Sequence, residues 1–152
     1  MTFPGTTFAF ELRVQVGAPM DLGQVPSGRR RIVAILGGTV EGPEVRGRVL
    51  PGGADWIVVR PDGVTTLDVR LVLETEDGAA IGMTYRGLRH GPAAVMERLN
   101  RGEVVDPATY YFRIAVAFET AAPNYAWLNG AICLGTGDRT PTGPIYDVFE
   151  VL

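Results

Sequence analysis

The chain has 152 residues, a formal net charge of −3 at pH 7, and 46% hydrophobic against 20% charged residues. This balance predicts one folded domain with a sizeable core, and it excludes a disordered chain. The slightly acidic net charge argues against a nucleic-acid partner. The one basic cluster, Arg29-Arg30-Arg31, is too short to form a nucleic-acid-binding groove. This cluster predicts either a solvated strand end or an anion site.

Apolar and polar residues alternate with a period of two along most of the chain, which predicts β-strands. A stretch rich in glycine and proline at 17–28 predicts a loop. Gly37-Gly38 predicts a place where a strand bends or a ligand approaches the backbone. The predicted strands are 8–14, 32–40, 45–50, 56–59, 67–75, 79–86, 110–119, 125–134 and 145–151.

One helix interrupts the series of strands. Pro92 suits the first helical position and Gly102 stops a helix, so a short helix is predicted at 92–100. Gly135-Thr136-Gly137 follows an apolar strand and is predicted to be a hairpin loop. About eight to ten strands with one short helix predict an all-β fold, namely a single antiparallel β-barrel over residues 1–152.

The faces of these strands favour a barrel over a sandwich. In 110–119 one face carries large apolar residues, while the other carries charged, aromatic and small ones. A mixed face of this kind suits the lumen of a barrel that holds a ligand. It equally suits the wet side of an ordinary antiparallel sheet, so both interpretations stay open.

The residue inventory excludes several chemistries. The chain has no lysine, which excludes Schiff-base catalysis and a phosphate-loop lysine. Ser27, His90 and Cys133 are each the only residue of their type, so nothing indicates a serine triad, a common zinc site or an internal disulfide. We therefore expect no cofactor and no metal. With no secretory leader and no apolar run long enough to span a bilayer, we expect no membrane partner and a cytoplasmic location.

Several segments together resemble the bacterial family named domain of unknown function 3237. They are Gly37 to Pro43, Gly47, Leu50 to Trp56, Leu67-Asp68-Val69-Arg70, Asp77-Gly78, Tyr110 to Arg113, Phe118-Glu119-Thr120 and Tyr125 to Asn129. The resemblance covers nearly the whole chain and implies a small lipocalin-like or allene-oxide-cyclase-like barrel. It implies no activity and assigns no catalytic residue.

The first candidate site is Gly52-Gly53-Ala54-Asp55-Trp56. Two glycines free the backbone there, and an acid and an indole follow at once. Asp55 is a candidate general acid or base beside an aromatic wall formed by Trp56. The alternative is structural, with Asp55 capping the turn and Trp56 plugging the barrel end.

Other candidates share strand faces by the same period of two. Asp68 and Arg70 lie on one face and can pair, either in the lumen, where Arg70 would stabilise an anion, or outside, where the pair matters little. Aromatic and amide side chains on 125–134 suit a flat ligand with one polar group. The predicted ligand-binding residues are Glu41, Trp56, Asp68, Tyr85, Arg113, Tyr125, Trp127 and Asn129, and the predicted catalytic residues are Asp55 and Arg70.

These candidates support two classes of function. One is a cofactor-independent isomerase, cyclase or lyase that acts on a small hydrophobic or aromatic compound, with Asp55 as base. The other is a non-catalytic binder or carrier of such a ligand. Both require Asp55, Arg70 and Trp127 to converge on a cavity of roughly 300 Å³ or more. We predict that Leu67, Val69, Leu71 and Leu73 are outward-facing apolar residues that need cover, so we also expect a homo-oligomer, specifically a dimer.

Overall fold

The computed structural model describes residue 2 and residues 4–152. In this part of the chain ten strands form one antiparallel sheet, joined by an α-helix and two 3₁₀ helices. The strands are β1 (Thr6–Val16), β2 (Met20–Val25), β3 (Gly28–Glu41), β4 (Arg46–Val49), β5 (Ala54–Val59), β6 (Thr65–Thr75), β7 (Ala80–His90), β8 (Tyr111–Glu119), β9 (Cys133–Thr140) and β10 (Gly143–Val151). The helices are α1 (Ala93–Asn100) and the 3₁₀ helices Pro107–Thr109 and Pro123–Gly130.

The sheet closes into an eight-stranded barrel, which confirms the predicted fold class. The circuit runs β1, β10, β9, β8, β7 and β6, and it returns to β1 through β3. Strands β4 and β5 share one place in the wall, since both lie between β3 and β6 at different heights. Strand β2 pairs only with β3 and extends the sheet beyond the barrel.

The period of two decides which side chains fill the barrel. Along β6, Leu67, Val69, Leu71 and Leu73 are all buried, while Asp68 and Arg70 are exposed. Strand β8 repeats the pattern, with its large apolar face inside. The interior is therefore packed mainly with aliphatic and aromatic side chains, and this burial is the main source of stability.

Two sequence predictions for glycine-rich segments differ from the structure. The stretch 17–28 contains β2, which the density of glycine and proline had concealed. The predicted hairpin loop at Gly135-Thr136-Gly137 is wrong, because these residues lie within β9. A Cβ at Gly137 would be 2.6 Å from the ring of Phe112, so the glycine makes room for that ring. At Gly38, a φ of +145° and a would-be Cβ 1.9 Å from the Arg13 carbonyl oxygen favour the strand bend.

The predicted strand 125–134 is also wrong in its first half. Residues Pro123–Gly130 form a 3₁₀ helix that buries Leu128 completely, and β9 begins only at Cys133. Asn129 fixes this helix to the end of β8: its side chain donates to the carbonyl of Thr120 at 3.0 Å and accepts from the Thr120 N–H at 2.8 Å. The helix lies at the barrel end where β8 finishes and β9 starts.

The predicted helix at 92–100 is confirmed as α1, with Pro92 as its N-cap residue. It belongs to the connection between β7 and β8 at the opposite barrel end, which we call the mouth. None of the helices in the described residues is long and apolar enough to cross a membrane. Because Leu67, Val69, Leu71 and Leu73 face inward, they need no cover, and the argument that led to a dimer loses its basis.

Candidate functional site

Asp55 is the one acidic side chain among the described residues that is buried inside the barrel, with 7% of its surface exposed. It lies near the start of β5, opposite Val69 in the β5–β6 ladder. Its Oδ1 accepts a hydrogen bond from the backbone N–H of Asp68 at 3.1 Å. No described cation lies within salt-bridge distance of it.

Burial controls the protonation of this carboxyl group. Removal from water raises the pKa of Asp55 to about 6, and the hydrogen bond from Asp68 and the positive charge of Arg89 oppose that rise only in part. A carboxyl group with this pKa exchanges its proton near neutral pH, which is the property that general acid–base catalysis requires. The predicted role of Asp55 as an acid or base is therefore chemically accessible.

Tyrosine and phenylalanine rings pack together in the barrel interior near Asp55, and two of them, Tyr85 and Phe112, line the same cavity as Asp55. Tyr85 and Tyr146 meet edge to face with ring centroids 5.2 Å apart, and Phe112 packs on Tyr146 in the same way at 5.4 Å. Burial raises the pKa of both tyrosine hydroxyls well above the ordinary value, so they remain protonated hydrogen-bond donors.

Arg89, at the end of β7, brings a positive charge to the same region. Its guanidinium lies 5.2 Å from the centre of the Phe112 ring. Burial, followed by repulsion from Arg139, lowers the pKa of Arg89. Two buried polar atoms here, Nε of Arg89 and the hydroxyl oxygen of Tyr146, make no hydrogen bond of ordinary geometry within the described residues, although the Tyr85 hydroxyl lies close enough to influence the pKa of Tyr146. Unpartnered buried polar atoms are costly, and they commonly mark a place where a ligand or an ordered water binds.

A small cavity of about 40 Å³ joins these groups at the mouth of the barrel. Asp55, Tyr85, Arg89 and Arg139 supply its polar lining. The rest of its wall is apolar, and Val16, Ile57 and Pro144 are only half-buried there, so the cavity lies just beneath the protein surface. It can admit one functional group of a ligand, and it is much smaller than the pocket of roughly 300 Å³ that would enclose a whole ligand.

The predicted convergence of Asp55, Arg70 and Trp127 is wrong. Arg70 is exposed on the outer wall, because it follows the outward phase of β6. Trp127 is half-buried in the 3₁₀ helix Pro123–Gly130, at the barrel end opposite to the mouth. Only Asp55 reaches the interior cavity.

The other predicted residues divide into four locations. Tyr85 lies with Asp55 in the interior. Trp56, Asp68 and Arg113 lie together on the outer wall, which removes the lumen interpretation of Asp68. Glu41 is exposed at the end of β3 away from the mouth. Tyr125 and Asn129 lie in the 3₁₀ helix with Trp127, where Tyr125 donates from its hydroxyl to Asp77 at 2.8 Å.

Sequence reasoning missed Arg89 and Tyr146. Arg89 fell outside the predicted strand 79–86, which ends four residues before β7 does. Tyr146 and Val148 both point into the barrel from β10, since they are two residues apart. The period of two could therefore have predicted that Tyr146 is buried. The described residues contain no group of three or more histidine, cysteine, aspartate or glutamate side chains able to hold a metal ion.

Comparisons with known proteins place the chain among relatives of the same size. The family model described as "Protein of unknown function (DUF3237)" matches residues 4–151. The chain belongs to this family. A UPF0311 protein of Rhodopseudomonas palustris is 39% identical over 147 residues, which cover 97% of this chain and 96% of that protein.

Solved structures of relatives have the same fold. The crystal structure of a conserved protein of unknown function from Rhodopseudomonas palustris matches with a TM-score of 0.96 at 38% identity, over 100% of both chains. A β-barrel-like protein from Acinetobacter baumannii matches with a TM-score of 0.84 at 39% identity, over 99% of both. A more distant relative, the hydroalkoxylation enzyme phnH of Penicillium herquei, is 26% identical over 89% of this chain and 75% of that protein.

Proposed function

We propose that this protein is a cofactor-independent acid–base enzyme that isomerises or cyclises a small carbonyl compound. The observation that carries the proposal is the position of Asp55: a buried carboxyl group with a pKa of about 6, and with no salt bridge to any described residue, lines a cavity together with Arg89. A structural carboxylate would be expected to stay ionised and paired, whereas a proton-transfer group needs both protonation states near neutral pH.

The groups around the cavity suit one reaction class in particular. In the addition of a hydroxyl group to a conjugated enone, Asp55 removes the hydroxyl proton as the oxygen bonds to the β-carbon. The electron pair of the double bond moves towards the carbonyl oxygen and forms an enolate. Protonated Asp55 then returns the proton to the α-carbon, so the product is an isomer of the substrate and no cofactor is consumed.

Arg89 is the group that would stabilise the enolate. Its Nε–H, which has no partner among the described residues, and its positive charge border the cavity, and a guanidinium partly removed from water binds an oxyanion more strongly than a fully exposed one does. In this proposal Arg89 therefore takes the role that was predicted for Arg70. Since the cavity holds only a few atoms, the carbonyl end of the substrate enters it and the remainder lies across the mouth.

The relative from Penicillium herquei supports this class of reaction. It is named a hydroalkoxylation enzyme, and hydroalkoxylation adds the O–H bond of an alcohol across a carbon–carbon double bond. This reaction, like the isomerase or cyclase chemistry predicted from the sequence, needs a shaped site and proton transfer in place of a cofactor.

The test uses 2′-hydroxychalcone, whose hydroxyl group lies on the ring next to the carbonyl, so that its addition to the β-carbon closes a six-membered ring and gives an isomer. The wild-type protein is expected to accelerate cyclisation above the uncatalysed rate, with kcat/KM rising with pH through an inflexion near 6 as Asp55 ionises. Asp55→Asn should lower kcat/KM by about a hundredfold or more, a typical contribution of general base catalysis. The matched control, Asp147→Asn, removes an exposed carboxylate from the outer face of β10 and should leave the rate unchanged.

A carrier remains the alternative function, and the same probes distinguish it from an enzyme. A carrier would bind hydroxyl-bearing enones without converting them and without exchanging the α-proton for deuterium in heavy water. Equal turnover by wild-type and Asp55→Asn proteins would also refute the proposal.

A further inference from the structure

The outer wall of the barrel carries a second concavity, separate from the cavity at the mouth. It has a volume of about 670 Å³, within the usual range for small-molecule sites, and spans the outward faces of β5 to β9. We call it the outer groove and define it by Arg30, Trp56, Asp68, Arg86, Tyr111 and Arg113. Three of the residues predicted from sequence to bind a ligand, namely Trp56, Asp68 and Arg113, lie in it.

Large apolar side chains are exposed in this groove. Trp56 is 48% exposed, Tyr111 is 44% exposed, and Leu88 and Leu134 are similarly accessible. Leu88, Tyr111 and Leu134 lie on the neighbouring strands β7, β8 and β9, where Leu88 is opposite Arg113 and Leu134 is opposite Ala115. Trp56 lies on β5, with β6 between it and β7. A contiguous apolar patch inside a concavity commonly marks a binding site, whereas single exposed apolar residues need no explanation.

The charges of the outer groove are unbalanced. Arg30, Arg86 and Arg113 have no carboxylate partner within salt-bridge distance among the described residues. Arg30 lies 5.8 Å from the Trp56 ring centre and Arg113 lies 5.1 Å from that of Tyr111, so two aromatic faces each carry a guanidinium. The one acidic side chain lining the groove is Asp68.

We propose that the outer groove binds a small planar aromatic anion, such as an aromatic carboxylate. Its ring would lie over Leu88 and Leu134 beside Tyr111, and its carboxylate would accept hydrogen bonds from Arg86 and Arg113. Each guanidinium has five N–H donors, and the bond from Arg113 to the carbonyl of Phe112 at 2.9 Å uses one of them.

Charge argues against the other occupants of such a surface. A symmetric dimer through this face would bring two sets of unpaired arginines together, at a cost in like-charge repulsion. A long polyanion such as a nucleic acid would be repelled by the rest of the protein, whose net charge is −3. The local positive charge of the groove therefore favours one compact anion.

The test is calorimetric titration of the whole protein with 2-naphthoate, using 2-naphthamide as an uncharged ligand of the same shape. We expect naphthoate to bind about tenfold more tightly than the amide, and Arg86→Gln or Arg113→Gln to weaken naphthoate binding by about tenfold, the scale of one charge-assisted hydrogen bond. The control Arg46→Gln removes an exposed arginine at the start of β4, outside the groove, and should change the affinity less than twofold, about the effect of a distant screened charge.

Three results would overturn the proposal. Equal affinities for naphthoate and naphthamide would remove the anion preference. Loss of naphthoate binding in Asp55→Asn, with no effect of Arg86→Gln, would place the ligand in the cavity at the mouth. A change in the sedimentation coefficient of the ligand-free protein on Arg86→Gln would assign the groove to a second copy of this chain.

Discussion

Ionisation of Asp55 should make the protein less stable as the pH rises through the weakly acidic range. In the unfolded chain this carboxyl group loses its proton near pH 3.8, whereas in the folded protein its pKa is about 6. Between these two values the folded state holds one proton more than the unfolded state, so the free energy of unfolding falls with increasing pH. The shift corresponds to about 3 kcal/mol, reached just above pH 6 and constant beyond it.

The substitution Asp55→Asn isolates this contribution. The amide oxygen of asparagine can still accept the hydrogen bond from the Asp68 N–H, and the side chain cannot ionise. Urea unfolding of both proteins from pH 4 to pH 8 gives the difference in unfolding free energy at each pH. That difference should move in favour of Asp55→Asn by about 2 kcal/mol between pH 4 and pH 7, because part of the total shift already lies below pH 4.

The wild-type and Asp55→Asn proteins are compared at the same pH because other carboxylates change the stability of both proteins in the opposite direction. Hydrogen bonds from Arg29 and Arg60 hold the pKa of Asp21 and Asp62 below the usual value, so their stabilisation is lost as the pH falls. These contributions are the same in both proteins and cancel in the difference. A pH-independent difference, or one that moves in favour of the wild type at neutral pH, would refute the burial argument for Asp55.

Three further substitutions test the packing around the site and the barrel ends. Tyr146→Phe removes a buried hydroxyl without a described partner, so urea unfolding should show no loss of stability and up to about 1 kcal/mol of gain; a loss of similar size would mean that the hydroxyl is hydrogen-bonded. Gly47→Ala places a Cβ 2.0 Å from the backbone oxygen of Glu74 and should lower the unfolding free energy by about 2 kcal/mol, whereas an unchanged melting curve would contradict the close approach of β4 and β6. Asn129→Ala removes both side-chain bonds to Thr120 and should cost about 1 kcal/mol, measured by thermal unfolding; a neutral result would mean that water replaces them fully.

The fold was predictable because each strand has two distinct faces. In β6 and β8 the large apolar residues recur at every second position, and the structure places those residues inside. The same periodicity left open whether the mixed face was the lumen or the solvent side. The structure shows that the mixed face is the solvent side, because the large apolar side chains fill the barrel and Arg70 and Arg113 lie outside it.

The candidate site was only partly predictable because it depends on contacts between distant strands. Asp55 stood out from its local sequence, and its burial follows from the inward phase of β5. Its neighbours Arg89 and Tyr146 come from β7 and β10, and only closure of the barrel brings these two strands close to Asp55. The strand predicted around Trp127 is wrong for a different reason. Its alternating aromatic residues resemble those of a strand, but the segment forms a 3₁₀ helix that buries Leu128 at the barrel end.

The free-energy cost of burying an ionised Asp55 favours a chemical role for this residue over a capping role. A cap requires only an oxygen that accepts the Asp68 N–H, and asparagine supplies one without the cost of a buried charge. At neutral pH the ionised aspartate destabilises the fold by about 3 kcal/mol, more than the roughly 1.5 kcal/mol that one hydrogen bond contributes. Proton transfer is a function that asparagine cannot perform, so an Asp55→Asn protein that gains stability at neutral pH and loses turnover would link that cost to catalysis. If it gains stability and keeps full turnover, the proton must be moved by another group.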